Sequence, residues 1–513
     1  MKRNKIRARK SSKIIGRTNK VRIRKLPTGV RGLDDILGGG LPEFSFNIIA
    51  GAPGCGKTTL AHQIMFANAT PQKPGLYFTT LGEPAIKILR YQQQYSFFDP
   101  AKVGKAIRLI NLSDLVLEND VGRVLEEIAK EVQASNSSLV VMDSFHSMVR
   151  KAFGAGRETD LQSFIQRLAV LLTSLEATTF LVGEYAEGEM RDNPIFTVAD
   201  GLFWLSQNVE RNSVVRKLQV MKLRGQGSVP GLHTVRITED GLQAFPRTLG
   251  MDGQKARPLG RRRLSIGISE LDNMMGGGLL EGDSVLISGP SGTGKSAVAA
   301  HFLAAGLRRG EAAIAAVFEE RPRSYMARAR TFGLDLQTPQ KKGTFEILHQ
   351  HPLDISVDET MQEILDAVKR LNAKRLVIDS LVGFEMTLAP GFREDFRESL
   401  YRMMAALTGA GVTVLTTIEI EDTFTAMPAS QYTISFLTDD IIRLRYVEID
   451  GQLRRVMVVI KMRRSSHSKD IREYLVTGEG VVVIGPRHTD YAGLTTGIPE
   501  RIRHLKQKAP EPK

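Results

Sequence analysis

At 513 residues the chain exceeds what a single hydrophobic core organises, so two or three domains are expected. An apolar share of 42% with 47 glycines suits an α/β protein, and no run of about 18 uncharged apolar residues exists to form a helical membrane span. The one cysteine, Cys55, excludes internal disulfides and fits a reducing, cytoplasmic setting.

The net charge of +14 is concentrated at the amino terminus, where residues 1–25 hold twelve Lys or Arg and no acid, leaving the rest near +2. This stretch lacks the apolar core of a signal peptide and reads as a basic disordered tail. It either solvates the chain or touches nucleic acid, an acidic partner or a membrane surface. The nearly neutral body has a single Trp (Trp204) and no aromatic residues interleaved with basic ones, so nucleic acid is expected to meet only the tail.

Residues 26–247 form the first expected domain. An apolar strand at 46–50 runs into Gly51-Ala-Pro-Gly-Cys-Gly-Lys-Thr58. This is the phosphate-cradling pattern G-x-x-x-x-G-K-[ST] between a strand and a helix. Glycine lets backbone N–H groups turn onto phosphate oxygens, the lysine reaches the outer phosphates, and the hydroxyl holds Mg²⁺. Gly51, Gly54, Cys55 (through its backbone), Gly56, Lys57, Thr58 and Thr59 are therefore ATP-binding candidates. Strands follow at 76–80, 139–143, 179–183 and 217–223, with a helix over 120–134. The strand before Asp143 ends where ligands collect in parallel sheets. Asp143 is read as joining Thr58 in the metal shell, against the plainer reading of a helix cap. After the strand at 76–80 a single acid, Glu83, is available as a base. Lys222 and Arg224 share one strand face, either as cations reaching a neighbour's γ-phosphate or as an exposed basic face.

A polar, Gly- and Pro-containing linker is expected at 248–263, and then the text repeats. Residues 28–41 align with 265–279, Lys57 with Lys295 at an offset of 238, Asp143 with Asp379 at 236, and Lys222–Arg224 with Lys461–Arg463 at 239. The second domain, 264–486, has strands expected near 284–288, 313–318, 375–379, 412–417 and 455–461 and a helix over 358–371. Its phosphate loop offers Gly289, Ser291, Gly292, Thr293, Gly294, Lys295 and Ser296, with Ser296 and Asp379 for the metal. Glu319 and Glu320 follow a strand at the ligand edge; one of them is expected to polarise an attacking oxygen. Apolar strands alternating with helices imply a mostly parallel sheet, so the fold class is α/β, a tandem duplication of a P-loop NTPase domain. Residues 487–513 read as a loose tail.

Three functions are consistent with these residues: an ATPase that also transfers phosphate, a DNA-dependent RecA-like ATPase, and a ring scaffold that ATP holds together. The Gly-Gly-Gly-Leu leaders at 38–41 and 276–279, the two phosphate loops, Glu319-Glu320, the segment 441–449, and Lys461-Met-Arg463 with His467 carry a specific resemblance. Over about residues 26–485 the chain resembles the KaiC circadian-clock ATPase family, within the wider RecA-like ATPases, which implies that each P-loop domain is RecA-like. The resemblance implies a double-ring homohexamer with Mg·ATP between subunits. Lys222, Arg224, Lys461, Arg463 and His467 would then reach the adjacent protomer's nucleotide. It also implies slow ATP hydrolysis and serine/threonine autophosphorylation. Ser435 matches the family's acceptor serine, or is a packed strand-end hydroxyl; Phe436 stands where the family has the acceptor threonine. Ser228 replaces a neighbour-reaching histidine, and the carboxyl tail does not resemble the clock family's partner-binding tail. A KaiC-like ATPase and autokinase in signalling, with an unidentified protein partner, is expected rather than a circadian oscillator.

Overall fold

The computed structural model describes residues 23–80, 85–118, 121–153, 158–190, 193–210, 213–247, 262–349, 356–388, 396–420, 438–484, 491–494 and 500–501. Glu83, Ser435 and Phe436 lie outside the described residues.

Among the described residues each half builds a sheet of nine strands. In the first half these are β1 (Phe46–Gly51), β2 (Gly75–Thr79), β3 (Ile107–Asn111), β4 (Leu139–Asp143), β5 (Thr178–Glu184), β6 (Gly201–Glu210), β7 (Ser213–Leu223), β8 (Leu232–Thr238) and β9 (Gly241–Phe245). In the second they are β10 (Ser284–Gly289), β11 (Ala313–Val317), β12 (Phe345–His349), β13 (Arg375–Asp379), β14 (Thr413–Glu419), β15 (Asp440–Ile449), β16 (Gln452–Met462), β17 (Arg472–Thr477) and β18 (Gly480–Ile484). The spatial order β9-β8-β7-β6-β1-β5-β4-β2-β3 recurs as β18-β17-β16-β15-β10-β14-β13-β11-β12. Pairs from β6 through β1 to β3 are parallel, and β6 to β9 form an antiparallel extension. The mostly parallel α/β duplication is thus present in both halves.

The central strands are buried along their whole length because helices cover both faces. Successive residues serve opposite layers. Ile48 and Val140 pack with Leu168 of α3 (Glu158–Ser174), while Ile49 and Val141 pack with Leu60 of α1 (Lys57–Asn68). The helix expected over 120–134 is α2 (Val121–Ser135), whose buried stripe is Val124, Ile128 and Val132. Three further helices matter in the second half: α4 (Lys295–Arg308), α5 (Pro322–Thr331) and α6 (Val357–Leu371). Ser356 starts α6 by accepting the Glu359 N–H at 3.1 Å, and Asn372 ends it in a left-handed conformation. Arg31 meets Asp366 at 2.8 Å and Arg236 meets Glu359 at 2.7 Å across the two halves. Among the described residues no helix is long and apolar enough to cross a membrane.

Candidate active sites on the twin phosphate loops

Both loops leave the carboxyl ends of the central strands β1 and β10 and enter helices α1 and α4. Gly56 and Gly294 begin those helices at φ 102° and 94°, a left-handed conformation that costs a glycine little. A Cβ on Gly51 would lie 1.9 Å from the Leu205 carbonyl oxygen, and one on Gly289 would lie 2.4 Å from that of Leu444. Glycine is therefore required where the loop leaves the sheet. The loop lysines fold back onto it: Lys57 Nζ donates to the Ala52 carbonyl at 2.7 Å, and Lys295 Nζ to those of Gly289 and Pro290 at 2.9 and 2.8 Å. Burial lowers the Lys295 ammonium below the ordinary lysine range, opposed by Glu419, Asp379 and Glu319. Cys55 turns its thiol onto the Ala52 carbonyl at 2.9 Å, and burial raises its pKa, opposed by Lys57.

In the first site Thr58 Oγ1 donates to Asp143 Oδ2 at 2.7 Å, and the Tyr77 hydroxyl donates to the same oxygen at 2.8 Å. The two expected metal ligands are thus already adjacent. A hydroxyl and a carboxylate are the hard oxygen donors that Mg²⁺ prefers, so the residues fit the ion. The His62 ring stacks on Tyr77 with centroids 4.4 Å apart and is held by the Thr58 carbonyl at 2.9 Å. Burial pulls the His62 pKa down, which favours a neutral ring.

The second site assembles a different shell. Asp379 accepts from Thr417 at 2.5 Å and lies 3.5 Å from Arg328 Nη2. The same Arg328 nitrogen donates to Glu320 at 2.5 Å. Burial raises the Glu320 pKa, and the carboxylates of Asp379 and Glu319 add to the rise against Arg328. Glu319 faces solvent and accepts the Ser380 hydroxyl, which in turn accepts the Gly383 N–H at 3.0 Å. Ser296 is half-buried at the start of α4, one residue after Lys295. The sheet therefore brings Lys295, Asp379, Glu319 and Glu320 to one edge, as the spacing predicts.

The family model for KaiC ATPases matches residues 26–248 and again 264–488. The chain belongs to the KaiC ATPase family. The circadian clock oscillator protein KaiC of a Picosynechococcus strain is 30% identical over 490 residues, covering 94% of this chain and 93% of its own. That of Rippkaea orientalis is also 30% identical, over 492 residues, with 94% and 92% covered. KaiC 1 of a Synechocystis strain is 29% identical over 497 residues, with 94% and 92% covered.

Against this KaiC framework the basic strand ends stand apart from their own phosphate loops. Lys222 on β7 pairs with Leu202, which pairs with Ile48, three residues before Gly51. Lys461 on β16 pairs with Ile441, which pairs with Leu286, three residues before Gly289. Arg224 and Arg463 lie further from the loops, so at roughly 3.3 Å per residue these cations sit about 10 Å or more behind them. A bulge at Met221 and again at Ile460 adjoins each lysine. Bulges re-aim side chains beside functional edges. Lys222 Nζ donates to the Thr197 carbonyl at 3.0 Å and Lys461 Nζ to the Thr438 carbonyl at 2.7 Å. Arg224 pairs with Asp200 at 3.1 Å and Arg463 with Asp439 at 3.7 Å. Burial, then the neighbouring arginine, lowers the pKa of each lysine. His467 is half-buried in the segment after β16. None of these cations is drawn into its own chain's phosphate loop.

Sequence reasoning did not single out Arg328, Thr417, Ser380 or Tyr77. The dipeptide Asp-Ser recurs at 143–144 and 379–380, and arginine recurs at 90 and 328. Those repeats were the available signals for Ser380 and Arg328. Thr417 and Tyr77 lie inside apolar strands and carried none.

Proposed function

We propose that the chain is a KaiC-like ATPase that binds Mg·ATP in both halves, hydrolyses it, and transfers phosphate to its own second half. The observation that supports this best is the convergence of Lys295, Asp379, Glu319 and Glu320 at the phosphate-loop edge. The first site supports nucleotide binding through Lys57, Thr58 and Asp143.

Thr58 with Asp143, and Ser296 with Asp379, would hold the Mg²⁺, which would offset the charge of the phosphates. Backbone N–H groups of residues 51–59 and 289–296 bind the triphosphate, and Lys57 and Lys295 swing from loop carbonyls onto its outer oxygens. Lys295 is poised for this exchange because its burial already disfavours an unpaired ammonium. Glu319 takes the proton from the attacking hydroxyl. Its partner is the neutral Ser380 hydroxyl, whereas Glu320 is tied to the Arg328 guanidinium and is less free to reach the attacking group.

The cations behind each sheet support a ring. Lys222 and Arg224, and Lys461, Arg463 and His467, would complete the neighbouring subunit's pocket and stabilise charge on the transferring phosphoryl group. A homohexamer is the assembly proposed, with domains at 26–247 and 264–486. Ser435 is the proposed acceptor, and Phe436 leaves no second hydroxyl beside it for a two-step cycle. The relatives' names place them in circadian clocks; for this chain we propose clock-like or signalling regulation through a protein partner. Residues 1–25 are the proposed contact with nucleic acid, if any is bound.

Incubation with Mg·[γ-³²P]ATP followed by mass spectrometry tests the reading. Label on Ser435 is expected, lost in the E319Q/E320Q double variant with ATP retention intact. Label that survives in the double variant sinks the assignment of the base.

A further inference from the structure

The two halves repeat one sheet order but surround their proposed metal-site aspartates differently. Asp143 is met by neutral donors, the hydroxyls of Thr58 at 2.7 Å and Tyr77 at 2.8 Å. Asp379 is met by a neutral donor, Thr417 at 2.5 Å, and by a fixed cation, Arg328 at 3.5 Å. Arg328 comes from the second turn of α5, 51 residues before Asp379 in the chain. It is anchored by Glu320 at 2.5 Å and lies over the Tyr325 ring, 5.4 Å from its centroid. Tyr325 is fully buried, so the platform beneath the guanidinium is fixed.

The position 238 residues earlier is also arginine, Arg90, yet it is exposed and the Asp143 carboxylate is held by Thr58 and Tyr77. The halves thus place this arginine differently, and they differ in residue type at Tyr77, where the second half has Ala315. In the second half a guanidinium competes for the carboxylate that a divalent ion needs. It cannot lose its proton at any working pH, so only movement relieves the competition. Glu320 makes that movement short, because it holds Arg328 after Asp379 has been given up.

We propose that Arg328 is a positioning residue that acts as a built-in counter-cation of the second site, yielding Asp379 to the divalent ion and thereby setting metal loading there weaker than at the first site. This rests on the proposed metal role of Asp379. Removal of Arg328 frees Asp379 for the ion and deletes a nearby positive charge. Replacement by lysine keeps the charge but not the planar guanidinium that meets both carboxylates through Nη2 and lies over the Tyr325 ring.

The test is Mn²⁺ binding by electron paramagnetic resonance to the full chain with a non-hydrolysable ATP analogue, for wild type, R328Q, R328K, D143N and D379N. The Asp variants assign the two classes of Mn²⁺ site. R328Q is expected to tighten the class that D379N abolishes by about tenfold, as expected for one nearby charge partly screened by water and salt. R328K should fall between R328Q and wild type, and the D143N-sensitive class should not move. An R328Q chain whose second-site Kd for Mn²⁺ is unchanged or weaker overturns the role of Arg328. So does weaker binding of the ATP analogue at constant Mn²⁺ affinity, which would make Arg328 a phosphate ligand. If D379N leaves both Mn²⁺ classes intact, the metal role of Asp379 fails and the proposal falls with it. Far-UV circular dichroism of each variant confirms the fold.

Discussion

Replacing Asp440 by Asn is expected to stabilise the second domain at neutral and alkaline pH and to flatten its pH dependence. Asp440 opens β15 with its side chain fully buried, and neither carboxyl oxygen meets a donor among the described residues. Its neighbour is Asp283, another acceptor, so a retained proton has to make one of the pair a donor. Asp439, the residue before β15, Lys461 near the end of β16 and Arg464 two residues past that strand also face the cluster. Arg464 is committed to Asp283, and Asp439 binds the Ser284 N–H at 3.0 Å. Burial, with the charges of Asp283 and Asp439 added, pushes the Asp440 carboxyl up to about 8 from an ordinary 3.8.

The folded chain therefore keeps a proton that the unfolded chain releases above pH 3.8. The stabilising contribution is complete below that value, declines as pH rises to about 8, and is level beyond. A gap of about four pH units is worth at most about 6 kcal/mol, and sharing the proton with Asp283 leaves about 2–3 kcal/mol as the working figure. Asn imitates the protonated acid without titrating. Trp204, the chain's one tryptophan, reports the first domain, so urea unfolding followed by both Trp fluorescence and far-UV circular dichroism separates the two halves. The gap between variant and wild type should widen from pH 5 to pH 8 in the circular dichroism component alone. Parallel curves at every pH, or a variant less stable throughout, would refute the reasoning.

Three other outcomes follow from the geometry. Gly383→Ala places a Cβ 2.5 Å from Glu319 Cγ and Oε1; because that side chain can swing away, folding should hold while turnover drops at least tenfold at unchanged ATP affinity. Arg375 is fully buried, pairs with Glu311 at 2.7 Å and donates to the carbonyls of Ser265 and Phe302, so Arg375→Met should cost the second domain about 3 kcal/mol in urea unfolding. Mixing K57A chains with K222A/R224A chains should restore first-site hydrolysis at about a quarter of the interfaces of a ring, and a mixture as inactive as its parts would place the cations in cis.

The parts of the fold legible in the sequence are those with one dominant physical requirement. Strands β1, β4, β10 and β13 are buried on both faces and so read as apolar runs, and the loops after β1 and β10 carry glycines the backbone cannot replace. The antiparallel extension was less legible. β8 leaves Leu232 nearly half exposed, and β17 and β18 do the same with Leu475 and Val482, so their patterns blur. Lys57, Thr58 and Lys295 were legible because the strand-loop-helix unit fixes their relation locally, and Asp143 and Asp379 because each closes an apolar strand, although Asp143 meets Thr58 across 85 positions. Arg328 and the Asp283–Asp440 pair depend on strand order, which joins residues 51 and 157 positions apart. Nothing local marks them.

That division has a physical consequence for the two sites. The features repeated between the halves are backbone features: sheet order, the glycine loop, and the bulge beside each basic strand end. On the proposed reading they fix where a triphosphate and a neighbouring subunit's cations would lie. The features that differ are side-chain charges set on that frame. Ser45 and Gly201 stand where the second half has Asp283 and Asp440, and Tyr77 supplies a neutral hydroxyl to Asp143 where Arg328 supplies a cation to Asp379. The Asp143 carboxylate is therefore met by neutral hydroxyls, whereas the second half sets an ion pair beside Asp379 and an acid pair that shares a proton behind its sheet. On the proposed reading, a repeated backbone with divergent charge would let one assembly hold two nucleotides alike and use them differently. Metal concentration and pH should then act on the second half far more than on the first. A Mg²⁺ titration of nucleotide retention, run at pH 6.5 and 8.5, should move the D379N-sensitive fraction and leave the D143N-sensitive fraction in place. Equal movement of both would mean that the charged groups peculiar to the second half do not govern it.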